Sequence, residues 1–140
     1  MIKYNQLPDN ILKLIPEAVT YLKSHPKVVF SYLFGSLAKR KPLPLSDVDI
    51  AVYLNRDTDF AECKLEILGE LMDILYTDEI DLVILNTADI SLVMNIIKSK
   101  EIIVDKNPFK RHLFESLMMR KYFDFSFKEL NQLRRRYLRG

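Results

Sequence analysis

Short apolar runs rich in β-branched and aromatic residues alternate along this chain with longer segments of helical periodicity, and this alternation most restricts the fold. The strand-like runs are residues 27–34, 48–54, 80–85 and 102–104. The helix-like segments are 9–24, 36–40, 58–77, 89–98 and 108–138. The resulting α-β-α-β-α-β-α-β-α order predicts an α/β (α+β) fold, a small mixed β-sheet flanked by helices.

Local patterns predict details of these elements. We expect Asp9 or Asn10 to cap the first helix, in which Pro16 begins a new segment or makes a kink. Residues 80–85 are apolar on both faces, which predicts a central strand. In the segment 58–77 the predicted buried stripe consists of Phe60, Leu65, Leu68, Leu71, Met72 and Leu75.

The length of 140 residues predicts one domain, 1–140, with a C-terminal helix at about 108–138. Residues 1–105 contain 11 Lys/Arg and 16 Asp/Glu, whereas residues 106–140 contain 10 and 3. The C-terminal helix is therefore basic. Its final run RRRYLRG either complements the helix dipole or forms a contact surface for a partner.

The chain contains one cysteine and two histidines, which excludes an internal disulfide framework and a zinc cluster. Cys63 is expected on a polar helix side without a catalytic role, and His25 and His112 are expected at the surface. We predict a cytoplasmic location, because a lone cysteine fits a reducing compartment and neither a signal peptide nor a membrane span is evident. Any metal site must use carboxylates, which favours Mg²⁺ or Mn²⁺.

Asp47 and Asp49 stand at the head of the second apolar run, SDVDIAVYL. Side chains alternate along a strand, so both carboxylates point to one face, roughly 6–7 Å apart. Two such carboxylates repel each other unless a cation or water screens them. Asp81 interrupts the run EIDLVIL, and on a neighbouring strand it would lie near the pair. Three carboxylates suit a two-metal phosphoryl-transfer site.

Gly35 and Ser36 follow the first predicted strand directly. A turn at this point exposes backbone N–H groups, which favour an anion such as a triphosphate. Gly35 permits close approach of the phosphate to the backbone, and the Ser36 hydroxyl can donate a hydrogen bond to it. The complete pattern is Gly-Ser-x10-Asp-x-Asp, with a strand before it, a strand after it and a later strand aspartate.

This pattern resembles the signature of the polymerase-β-like nucleotidyltransferase superfamily in its minimal form. The size of the chain and the closing SDVDIAVYL are most similar to the minimal nucleotidyltransferase (MNT-domain) antitoxins of HEPN–MNT, or type VII, toxin–antitoxin systems. The resemblance implies that Asp47, Asp49 and Asp81 are catalytic and hold two Mg²⁺ ions. It also implies that Gly35 and Ser36 bind the nucleotide phosphates.

Arg40 departs from the pattern, since family loops often have glycine at this position. Arg40 either reshapes the loop or adds a phosphate contact, and it is therefore counted among the nucleotide-binding candidates. The affinity for nucleotide depends on which of these two effects Arg40 has. The identity of the predicted metal ligands does not depend on Arg40.

The resemblance implies an ATP- and Mg²⁺-dependent protein adenylyltransferase. It would transfer AMP to a tyrosine hydroxyl of a cognate HEPN RNase toxin, with which it forms a hetero-oligomer, and would thereby neutralise the toxin. One alternative is an antitoxin of the same fold that acts by binding the toxin only. Another is a nucleotidyltransferase that acts on RNA or a small molecule, although nucleic acid is not expected as the direct substrate and 140 residues leave little room for a substrate domain.

Overall fold

The computed structural model describes residues 10–38 and 47–138, and its elements follow the predicted order. The elements are α1 (Ile11–Ser24), β1 (Val28–Phe34), α2 (Gly35–Ala38), β2 (Val48–Leu54), α3 (Phe60–Leu75), β3 (Ile80–Ile84), α4 (Ile90–Ser99), β4 (Glu101–Asp105) and α5 (Pro108–Leu138). The predicted turn at 36–40 corresponds to α2, and its last two residues lie outside the described ranges.

The four strands form one mixed sheet in the order β3-β2-β1-β4. β1 pairs antiparallel with both β2 and β4, and β2 pairs parallel with β3. The predicted fold class, a small mixed sheet flanked by helices, is confirmed.

Helices cover both faces of this sheet, and the two inner strands, β1 and β2, are buried on both sides. Side chains such as Leu33, Ile50 and Val52 form one core with α1 and α3. The opposite face carries Phe30, Tyr32 and Tyr53, which pack against α4 and α5. Tyr53 stacks on Phe30 with 4.8 Å between ring centroids. Because successive side chains alternate between these two cores, Asp49 lies on the α4/α5 face.

α1 begins after Asn10, whose backbone carbonyl accepts hydrogen bonds from the N–H groups of Lys13 and Leu14. The Asn10 side chain makes no capping hydrogen bond. The helix continues through Pro16 as one element, so no new segment begins there.

α5 has 31 residues and is therefore about 46 Å long. Its first turns pack on the sheet through Phe114. Fifteen large hydrophobic side chains are exposed within the described residues, and ten of them are on α5. Neither α5 nor any other helix in the described ranges has the length and apolar composition that crossing a membrane requires.

Four local predictions were wrong, and three of them concern β3 and α3. β3 is an edge strand and not a central one. The prediction failed because the apolar side chains on both faces of β3 pack against helices, which an edge strand can do as well as a central one. Leu65 is 72% exposed, since the buried line of α3 runs through Cys63, Ile67, Leu71 and Leu75 at four-residue spacing. Cys63 is thus buried, and burial raises the pKa of its thiol.

His25 is also buried, contrary to the prediction of a surface position. Its Nε2 atom lies 3.3 Å from Oε1 of Glu66, and its Nδ1 atom accepts a hydrogen bond from the backbone N–H of Lys27. Nε2 thereby links the end of α1 to α3, and Nδ1 stabilises the turn that leads into β1. His112 is exposed, as predicted.

Candidate active site

The Gly35–Ser36 turn joins β1 to the four-residue helix α2. Leu37 is fully buried and anchors α2 against the α1/α3 core. Gly35 has a φ of +71°, a conformation that residues with a Cβ rarely adopt. Glycine at this position therefore determines the path of the chain as it leaves the sheet.

Asp49 lies directly beneath this turn. It pairs with Phe34, the residue before Gly35, across the antiparallel β1–β2 ladder. A Cβ added to Gly35 would overlap the carboxylate of Asp49 and would lie 3.1 Å from its Cγ atom. The absence of a side chain at Gly35 leaves the space that the carboxylate occupies. The structure thus brings these two parts of the predicted motif together.

Asp81 is the register partner of Asp49 in the parallel β2–β3 pair. Register partners in a sheet point to the same face, so the two carboxylates lie side by side at neighbouring strand positions. Asp49 is partly buried and Asp81 is exposed, so the pair lies where the sheet meets solvent. The predicted proximity of these two strand aspartates is observed.

Asp47 precedes β2 by one residue and is partly buried. The backbone N–H of Val48 donates to the carbonyl of Glu79, which aligns the start of β2 with the start of β3. Ser36 lies in α2 and is partly buried. Arg40 lies outside the described residues.

The side chains of Asp47, Asp49 and Asp81 fit Mg²⁺, since all three are carboxylates. The missing Cβ of Gly35 leaves room for one of them, the carboxylate of Asp49. Within 10–38 and 47–138, however, no three acidic, histidine or cysteine side chains lie close enough together to hold a metal ion. Of the three predicted metal ligands, Asp49 and Asp81 are the two that the strand register places side by side. The roles of all predicted site residues stay predictions.

A groove of about 440 Å³ adjoins Asp81 and was not predicted. It is lined by Phe60, Ala61, Lys64, Asp81, Leu82, Val83, Ile84, Thr87, Ala88 and Leu92. The sequence contains no signal for it, because it exists only where α3 and α4 flank the free edge of β3. A larger groove of about 620 Å³, between α1 and β4, contains none of the predicted site residues.

An ion cluster at the base of α5, in which Arg111 and Glu115 are buried, was also missed. The Nη1 atom of Arg111 donates to Oε1 of Glu115 at 2.9 Å, and its Nε atom lies 3.1 Å from Oδ2 of Asp105. Nζ of Lys100 lies 3.2 Å from Oε2 of Glu115. The contact with Asp105 raises the pKa of Arg111 against the opposing effect of burial. The i,i+4 spacing of Arg111 and Glu115 is the one part of this cluster visible in the sequence.

Several solved structures that are similar to this chain are toxin–antitoxin complexes. A toxin–antitoxin crystallised with AMP-PNP matches with 23% identity and a TM-score of 0.66, over 89% of this chain and 94% of that one. A mutant of an MntA toxin–antitoxin complex matches with 26% identity and a TM-score of 0.65, over 91% and 96%. The tri-AMPylated HEPN toxin of Shewanella oneidensis in complex with its MNT antitoxin matches with 22% identity and a TM-score of 0.60, over 89% and 91%.

No curated protein matches the chain at a significant level. The family described as Polymerase beta, Nucleotidyltransferase matches residues 17–109, a segment that includes the Gly35–Ser36 turn and all three predicted aspartates. The neighbouring structures contain MNT antitoxins, in agreement with the resemblance found in the motif. The chain belongs to the polymerase-β-type nucleotidyltransferase family.

Proposed function

We propose that this chain, as a single nucleotidyltransferase domain, is an antitoxin that transfers AMP from ATP to a tyrosine hydroxyl of a HEPN toxin. The observation that carries the proposal is that Gly35 lies directly over the carboxylate of Asp49, while Asp81 pairs in register with Asp49 on the neighbouring strand. A phosphate-binding turn and adjacent carboxylates are what nucleotidyl transfer requires. The solved relatives with AMP-PNP and with an AMPylated toxin support the choice of nucleotide and acceptor.

Each predicted residue has a role in this reaction. The backbone N–H groups and the hydroxyl of the Gly35–Ser36 turn bind the β- and γ-phosphates, with Arg40 as a further phosphate contact. Asp47, Asp49 and Asp81 would hold Mg²⁺, which when bound neutralises charge on the phosphates. Asp81 also accepts the proton of the acceptor hydroxyl. The hydroxyl oxygen bonds to the α-phosphorus, the bond between the α- and β-phosphates breaks, and pyrophosphate leaves.

The surface of α5 supports a protein partner for this activity. Its exposed side chains include Phe109, Leu113, Phe123, Phe127 and Leu130, and patches of this kind mark interaction sites. The last turn carries Arg135 and Arg136, so the apolar strip is bordered by positive charge. A hetero-oligomer with the toxin would bury this strip.

The test is intact-mass spectrometry of a HEPN protein that forms a complex with this chain, incubated with this chain, ATP and Mg²⁺. Mass steps of one AMP group, absent with Asp49→Asn and with Asp81→Asn, are the expected result. Peptide mapping should then place the group on a tyrosine. An unmodified HEPN protein that still forms the complex would contradict the proposal.

A second candidate is an antitoxin that neutralises its toxin by contact alone. It is favoured by one observation, that Arg40 stands where the loops of the family often have glycine. The Asp47→Ala/Asp49→Ala double variant separates the two functions in cells that express the toxin. Protection by this variant would support binding alone, whereas loss of protection with retained complex formation would support transfer.

A further inference from the structure

The C-terminal half of α5 extends past the turns of this helix that pack on the sheet. Met118 is still partly buried against the core of the α4/α5 face. From Phe123 to Tyr137 all side chains are exposed except those of Ser126 and Asn131, which are partly buried. This segment is about 22 Å long, and a helix of that length gains little stability without packing against another element.

One face of α5 follows a heptad pattern from Met119 onward. Gaps of four and three residues alternate along this face, through Met119, Phe123, Ser126, Leu130, Leu133 and Tyr137. We call this line of residues the α5 seam, and its five large side chains are between 43% and 73% exposed. Apolar residues at this spacing form the narrow stripe along which two helices pair, whereas a sheet or a lipid surface contacts a broader apolar face.

The residues that flank the seam are mostly basic. These heptad positions are Arg120, Phe127 and Arg134 on one side and Tyr122, Glu129 and Arg136 on the other. Three arginines and one glutamate give them a net charge of +2. A helix that pairs with the seam is therefore favoured when its own flanking residues are acidic.

A second copy of this chain fits the seam less well. In a parallel pair Glu129 would meet Arg134 of the other copy, but the runs Arg134–Arg136 of both copies would lie at the same level. In an antiparallel pair Arg120 would face Arg134 of the other copy. The seam also covers fewer than three heptads, which is short for two such helices to hold each other without further contacts. A helix that belongs to a folded partner protein supplies those contacts.

We infer that the α5 seam pairs with an amphipathic helix of the HEPN protein, which carries apolar residues at the same spacing and acidic residues beside them. This inference rests on the proposed function for the identity of the partner, and it specifies the contact that holds the two proteins together. The seam contains none of the predicted site residues, so docking and AMP transfer are separate properties of the chain. Lys121, Lys128 and Arg135 lie on the opposite face of α5 and remain exposed.

Two phenylalanines provide a matched pair for the test. Phe123 lies in the seam, whereas Phe125 is 49% exposed and lies outside it. Phe123→Ala should weaken the affinity for the HEPN protein about 30-fold or more, and Phe125→Ala should change it less than about threefold. Calorimetric titration measures both affinities. Equal effects of the two substitutions, or wild-type affinity of Phe123→Ala, would overturn the inference.

Cross-linking distinguishes a helix of the partner from other structures. Phe123, Leu130 and Tyr137 follow one another at intervals of seven residues, which is about 10.5 Å along α5. A photoreactive phenylalanine analogue at each position should therefore react with residues about seven apart in one segment of the HEPN protein. An extended segment would react at intervals of about three residues. Such intervals, or sites scattered over several segments, contradict helix pairing.

Other occupants of the seam give different results. The free chain is tested for dimers by analytical ultracentrifugation, and for binding to anionic lipid vesicles and to RNA. Any of these associations that Phe123→Ala abolishes and Phe125→Ala retains would assign the seam to that occupant and overturn the inference. The two proposals fail separately. Weaker binding by Phe123→Ala alone, without mass steps on the bound HEPN protein, contradicts AMP transfer, whereas mass steps with wild-type binding by Phe123→Ala contradict helix docking.

Discussion

Gly35 lies over the carboxylate of Asp49 so closely that any side chain at Gly35 would occupy the space of that carboxylate. The β1–β2 register produces this contact, because Phe34 pairs with Asp49 and the chain then turns back at Gly35. The Gly35–Ser36 turn and β2, which carries Asp49, are therefore coupled through van der Waals contact, in addition to the spacing of these residues in sequence.

Gly35→Ala should lower the free energy of unfolding by about 1–3 kcal/mol, because a positive φ and an overlap with Asp49 both oppose a Cβ. It should also reduce nucleotide affinity, since relief of the overlap displaces either the turn or the carboxylate. Urea unfolding and AMP-PNP titration measure the two effects.

Gly69→Ala is the matched control for this substitution. Gly69 lies in α3, and a Cβ added there meets no atom within 4 Å. The control should therefore raise the free energy of unfolding by about 0.5–1 kcal/mol through helix propensity. Wild-type stability and affinity in Gly35→Ala would show that the turn tolerates a side chain.

Mg²⁺ should stabilise the wild-type chain in the presence of a nucleotide analogue, because Asp49 and Asp81 place two negative charges at register-paired positions. At a concentration 100 times the dissociation constant the gain is about 2.7 kcal/mol. Asp49→Asn and Asp81→Asn should lose most of it while they remain folded. Thermal unfolding with and without Mg²⁺ measures the gain.

Asp73→Asn, which removes an exposed carboxylate of α3, is the control and should retain the full Mg²⁺ response. If Asp49→Asn and Asp81→Asn respond to Mg²⁺ as the wild type does, these carboxylates do not hold the ion.

The strands and the motif were predictable because each is encoded within a short window. The predicted and observed bounds of β2 agree, Val48–Leu54, and the apolar run that contains Asp81 was predicted as a strand and forms β3. The position of each strand within the sheet, at an edge or in the centre, could not be predicted. The apolar pattern of a strand reports which faces are covered, so β3, covered by helices on both faces, resembles a central strand although it forms an edge.

Side chains that pair across distant segments were also not predictable. His25 and Glu66 are 41 residues apart, and each alone is a common surface residue. Arg111 contacts Asp105 on β4 only because the chain reverses between β4 and α5. Burial of such polar groups depends on tertiary contacts that no local window contains.

Arg111→Ala should lower the free energy of unfolding by about 1–3 kcal/mol, because the buried carboxylate of Glu115 loses its hydrogen bond from the guanidinium and is left with the contact to Lys100. Arg111→Met combined with Glu115→Leu should recover part of this loss, since both ends of the buried pair are then apolar. Urea unfolding of the two variants measures the difference.

Arg120→Ala, at an exposed position of the same helix, is the control and should change the free energy of unfolding by no more than about 0.5 kcal/mol. An equally small effect of Arg111→Ala would show that the ion cluster does not hold α5 to the sheet.

Tyr21→Phe should make the fold more resistant to alkali. Burial, reinforced by Glu66 and Glu70, raises the pKa of Tyr21 to about 12. In the unfolded chain a tyrosine ionises near pH 10, so the folded state retains its proton more strongly. The stabilisation from the neutral phenol is complete below about pH 10 and is lost as the pH rises through about 12.

Urea midpoints of wild type and Tyr21→Phe at pH 8 and pH 11 measure this contribution. At pH 11 the urea midpoint of Tyr21→Phe should be higher relative to that of the wild type than at pH 8, because the variant has no phenol to ionise at this position. The Tyr21 hydroxyl has no hydrogen-bond partner among the described residues, so its removal should cost little at pH 8. Tyr76→Phe, at a tyrosine that is 75% exposed, controls for the loss of one phenol. Equal losses by wild type and Tyr21→Phe between the two pH values would exclude Tyr21 as a source of alkaline instability.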